Sequence, residues 1–159
     1  MIEPLLTLLL GILVILAIIA VNGYFVAQEF AYMAVDRTKL AALAAGGDAS
    51  AKRALAVTKR TSFMLSGAQL GITVTGLVVG YIAEPLVGKS LGTLLGGTGL
   101  PTEAVVAVGT GLVLVAATLI QMIVGELYPK NLAIADPEPL SRALARSTLI
   151  YMSVFGWLI

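Results

Sequence analysis

Residues 5–21 read LLTLLLGILVILAIIAV, and the apolar run continues past Asn22-Gly23 through Tyr24-Phe25-Val26-Ala27 to Val35. A membrane-spanning helix needs about 20 apolar residues, and this stretch is longer. It therefore tilts, bends near Asn22-Gly23, or carries its last turns, with Gln28 and Glu29, beyond the hydrocarbon. A cleaved signal peptide opens on basic residues. This chain opens on Met1-Ile2-Glu3-Pro4, acidic and proline-stopped, which predicts a retained first span.

The rest of the composition agrees. Of 159 residues, 58% are hydrophobic and 12% charged, against roughly 25% charged in a soluble domain. So little charge cannot coat a water-soluble particle, and the expected class is an all-α membrane protein in contact with a lipid bilayer. The net charge of +1 gives no basic field for nucleic acid. Absence of Cys and His removes disulfides, thiolate or imidazole metal sites, and Cys- or His-based catalysis. With no Ser–Lys or paired-Asp arrangement in the spans either, an enzyme is not expected. Any metal must be bound through oxygen, which favours hard ions such as Mg²⁺, Ca²⁺, Na⁺ or K⁺.

The chain divides into a first span (1–35), a basic amphipathic hairpin (36–60), a second span (61–84), a Gly/Thr/Leu stretch read as a loop or re-entrant segment (86–102), a third span (104–128) and a helix over 138–159. That last helix is read as lying in the interface, with a fourth span continuing beyond the chain as the rival. Within the hairpin, Gly46-Gly47-Asp48 predicts a break, with Asp48 as N-cap of its second helix. Six Lys/Arg lie between spans one and two, one between spans two and three, and three after span three. The positive-inside rule then puts the N-terminus outside and residues 36–60 and the C-terminus in the cytoplasm. The end at Gly-Trp-Leu-Ile, without a polar tail, reads as a truncation.

Two constellations could carry chemistry. In span two, Ser62, Ser66, Gln69 and Thr73 fall on one helical face, continued by Gly76 and Gly80. Gly67–Gly71 and Gly76–Gly80 are small-xxx-small pairs, and Gly76 and Gly80 are expected at a helix contact within or between protomers. In span three, Thr118, Gln121 and Gly125 share a face and Glu126 follows. Pro129 lacks the N–H that would bond the Gly125 carbonyl, so a carbonyl is freed beside a carboxylate. Broken helices with free carbonyls are a common way for membrane proteins to hold cations. The competing reading pairs Glu126 with Lys130 at i+4 and lets Pro129 stop the helix. Span one adds Asn22, either a ligand or a satisfied amide at a bend, and Glu29, either a ligand or a partner for the basic hairpin.

Asn22-Gly-Tyr-Phe-Val-Ala-Gln-Glu-Phe-Ala31, Asp36-Arg-Thr-Lys-Leu40, Ala68-Gln-Leu-Gly-Ile-Thr73 and Gly125-Glu-Leu-Tyr-Pro-Lys130, in this order, resemble the transmembrane domain of the CNNM/CorC (hemolysin-C-like) family over nearly the whole chain. The resemblance implies three spans with a belt of interfacial helices on the cytoplasmic side, a homodimer, and a CBS-domain pair downstream of this chain. It also implies Mg²⁺ transport by efflux or exchange. The ion would be held by Gly125 and Glu126, which match the family's ion-binding segment, with Asn22, Ser66 and Gln69 lining a cytoplasm-facing cavity. The chain departs from the family where Mg²⁺-binding members carry serines (here Val26 and Gln28) and an Asn-Asn pair (here Ala68-Gln69). Na⁺ or no ion is the alternative cargo, and a non-transporting dimeric anchor for cytoplasmic regulatory domains is the alternative function.

Overall fold

The structure, a computed structural model, describes residues 2–95 and 102–159, and everything regular in them is helical. In chain order the helices are α1 (Ile2–Ala34), α2 (Arg37–Ala45), α3 (Ala49–Thr58), α4 (Thr61–Ile82), α5 (Lys89–Leu95), α6 (Thr102–Ile120), α7 (Tyr128–Ala135) and α8 (Pro137–Val154). A π-helical turn, Ala83–Gly88, joins α4 to α5, and a second, Gln121–Leu127, joins α6 to α7. Three helical stretches, Ile2–Ala34, Thr61–Leu94 and Glu103–Ala135, are long and apolar enough to cross a bilayer. The described residues thus carry three candidate membrane spans. At 1.5 Å per residue, α1 is about 50 Å long against a hydrocarbon core of about 30 Å, and Asn22-Gly23 does not interrupt it.

The helix does not stop at Glu84-Pro85. Pro85 removes one donor from the backbone ladder, the turn widens to the π form there, and α5 resumes to Leu95. The loop or re-entrant reading of 86–102 is thus replaced by helix over its first ten residues, and its remainder up to residue 101 lies outside the described residues.

Contacts divide the chain into two compact units. The first, residues 1–22 and 74–125, packs Ile15, Ile19, Val79, Val87 and Ala117 together. The second, residues 23–73 and 126–159, is centred on Tyr32, Leu40, Val57, Met64, Ala68 and Met152, with Ala51, Ala54 and Ala145 fully buried. Those alanines let α3 and α8 pack closely.

The hairpin is built by its caps. Asp36 accepts hydrogen bonds from the backbone N–H groups of Thr38 and Lys39 to start α2. Gly47 takes the left-handed turn, φ 100°, that a side chain would resist. Asp48 then caps α3 as expected, accepting from the N–H groups of Ser50 (2.8 Å) and Ala51 (3.0 Å). Its other oxygen receives Arg142 of α8 at 2.5 Å, and the same guanidinium reaches Ser50 and Glu138. The Ser50 hydroxyl, the Ala51 amide and Arg142 together hold the Asp48 carboxyl down at about 2. Its folded value therefore lies below the unfolded one of 3.8, so its stabilisation is present above about pH 4 and is lost as pH falls towards 2. Melting temperatures measured from pH 5 to 2 should fall more steeply for the wild type than for Asp48→Asn, which starts lower. Parallel curves would show that Asp48 contributes nothing to the acid limb.

The small-residue pairs of α4 divide. Among the described residues, and apart from the helix's own backbone, nothing lies within 4 Å of where a Cβ would stand on Gly80, and at Gly76 the Gln121 carboxamide lies 3.7 Å away. The close approaches within the chain are at Gly67, against Tyr151 and Ile159, and at Gly71, where a Cβ would lie 2.5 Å from the Phe25 ring.

Candidate functional site

In the first unit, the Gly125 carbonyl does not stay unbonded. Asn22, 1% exposed, donates its Nδ2 amide to it at 3.0 Å, and the Asn22 Oδ1 accepts from the Thr75 hydroxyl at 2.8 Å. The Asn22 side chain is thereby fixed in orientation, with its oxygen and the carbonyl each keeping a second acceptor direction. Gly125 is buried, and a Cβ there would meet the Asn22 and Ile19 side chains at 3.3 Å, a tight fit that either side chain would have to yield to by a few tenths of an ångström. Sequence reasoning placed Asn22 and Gly125 together and missed Thr75, which is buried on a face of α4 away from the polar stripe.

In the second unit, a pocket of about 280 Å³ is lined by Val26, Glu29 and Phe30 of α1, Ile72 of α4, and Glu126, Leu127 and Lys130. Among the described residues the ion pairs are the two made by Arg142. Glu126 and Lys130 do not pair despite their i+4 spacing. The Lys130 ammonium lies instead over the Phe30 ring, 4.7 Å from its centroid. The π turn that ends at Leu127 changes the angular relation between residues 126 and 130, and the i+4 rule for a regular α-helix no longer applies.

Ser66 and Gln69 are exposed on α4 and are not in the pocket lining; the Gln69 carbonyl accepts the Thr73 hydroxyl. Gln28 is outside the expected site, yet it is 0% exposed and neither its Nε2 nor its Oε1 has a hydrogen-bond partner among the described residues. A buried carboxamide left unpaired is costly, so Gln28 marks an unmet polar demand next in sequence to Glu29. A carboxamide in an apolar helix was the available signal. Among the described residues no three His, Cys, Asp or Glu side chains cluster as a metal cage.

Residues 12–159 match the family model for the Cyclin M (CNNM) transmembrane N-terminal domain. The chain belongs to the CNNM/CorC family. It is 39% identical over 150 residues to the UPF0053 protein MT1890 of Mycobacterium tuberculosis, covering 88% of this chain and 31% of that protein. Two Bacillus subtilis proteins, UPF0053 protein YhdT (33% over 149 residues; 93% of this chain, 32% of the relative) and UPF0053 protein YugS (30% over 147 residues; 92% and 34%), are also similar. The chain spans about a third of the length of these relatives. In this CNNM domain the Gly125-Glu126 motif falls inside the second π turn. The sequence feature and the irregular backbone coincide.

Proposed function

We propose that this domain is the membrane part of a cation transporter, moving Mg²⁺ by efflux or exchange, and that it works as a homodimer. The observation that supports this most is Glu126: a carboxylate of the second π turn that shares a pocket with Glu29 and has no ion-pair partner among the described residues. A carboxylate in a membrane segment needs compensation, and a cation supplies it. The basic hairpin lies on the cytoplasmic side in this reading, the N-terminus outside, and the pocket opens to the cytoplasm.

A second reading, the non-transporting anchor, is favoured by Val26 in the pocket lining and by the exposed Ser66 and Gln69 outside it, since valine ligates nothing. Reconstitution into liposomes loaded with a Mg²⁺-sensitive dye separates the two. Saturable Mg²⁺ flux above protein-free vesicles is expected, whereas flux equal to the empty-vesicle leak would leave the anchor.

A further inference from the structure

We propose that Lys130 sets the valence preference of the Glu29–Glu126 pocket, acting as a tethered cation that disfavours a divalent ion more than a monovalent one; this rests on reading the pocket as a cation site. Glu29, Glu126 and Lys130 line one space of about 280 Å³. Two carboxylates and one ammonium leave it one formal negative charge, and without the lysine it would hold two. Among the described residues the ammonium makes no ion-pair contact with either carboxylate. It rests on the face of Phe30, 4.7 Å from the ring centroid, where the ring quadrupole attracts a cation without removing its charge.

The field of that charge therefore reaches whatever else enters the pocket. Energy in a fixed potential is proportional to ionic charge, so the penalty on Mg²⁺ is twice that on Na⁺. In affinity, the factor for a divalent ion is the square of the factor for a monovalent one. Phe30 acts as the parking place: the flexible four-carbon stem of Lys130 would otherwise let the ammonium settle on the carboxylates and compete for them directly.

The test titrates MgCl₂ and NaCl, at ionic strength held with choline chloride, into the full chain in detergent and reads the half-saturating concentration from the rise in melting temperature. Lys130→Met should lower that concentration about tenfold for Mg²⁺ and about threefold for Na⁺, the square relation that a point charge imposes. Lys130→Gln should do the same, so one poorly folded variant does not decide the matter. Phe30→Leu should raise the Mg²⁺ value, and Lys59→Met, exposed on the hairpin, should leave it unchanged. An unchanged midpoint in the Lys130 variants, or equal gains for both ions, overturns the role of Lys130 while the cation pocket stands. No cation-dependent shift in the wild type or the Lys130 variants overturns both.

Discussion

If the proposed transport reading holds, Glu126→Gln should abolish the Mg²⁺-dependent rise in melting temperature and the Mg²⁺ flux, while the protein without added cation should melt at or above the wild-type temperature. The substitution keeps the shape of the side chain and removes its charge. A ligand that binds only the folded state stabilises it by RT ln(1 + [L]/Kd), about 2.7 kcal/mol at a concentration one hundred times Kd, and that is the scale of the loss expected in excess Mg²⁺. The apo protein gains because an uncompensated carboxylate in a membrane segment is costly: insertion scales place Asp at mid-helix at about 2.5–3.5 kcal/mol. Glu29→Gln should weaken the Mg²⁺ response by a smaller factor, since Glu126 stays. Retention of the full Mg²⁺ response in Glu126→Gln would remove the carboxylate from the site and with it the transport reading.

Gly71→Ala destabilises the protein by about 1–3 kcal/mol, the usual cost of forcing an extra carbon into a packed interior. The added Cβ would stand 2.5 Å from Cγ, Cδ2 and Cε2 of Phe25, so the whole ring must move rather than its tip. That ring is held edge-on between Tyr24 and Tyr151, with centroids 5.3 Å and 5.0 Å away. Phe25→Leu makes room at a cost of its own, and the double variant should be clearly more stable than the sum of the two single losses predicts. Strict additivity, or a neutral Gly71→Ala, would show that α1 and α4 do not meet there. The same substitution at Gly80, whose Cβ position has no neighbour within 4 Å among the described residues beyond its own helix backbone, should be tolerated in the isolated chain.

The spans were legible because twenty-residue apolar runs carry their own signal, and so was the hairpin, since Asp48 after two glycines is local capping chemistry. Asn22, Gly125 and Glu126 were legible as polar or irregular positions in apolar helices. The two π turns were not, because hydrophobic periodicity reports a helix without reporting whether a bond closes four or five residues back. The helix continues past Pro85 where a loop or re-entrant segment was expected, and of the two readings left open for Glu126 the pairing with Lys130 is not formed, Lys130 meeting Phe30. Thr75 was hidden for another reason: its hydroxyl is satisfied by Asn22, 53 positions away, and nothing local to α4 signals that bond.

Three tyrosine hydroxyls tie α8 to its neighbours. Tyr24 donates to the Ser147 hydroxyl and Tyr32 to the Ser141 carbonyl, both from α1, while Tyr151 of α8 itself donates to the Gly67 carbonyl of α4. Each such bond is worth about 1 kcal/mol net, but the three act on different turns of one helix and resist its rotation together. The helix therefore serves as a rigid handle on the ends of two spans. A spin label at exposed Arg146 would report changes in the tilt of those spans with little blurring from motion of α8 itself.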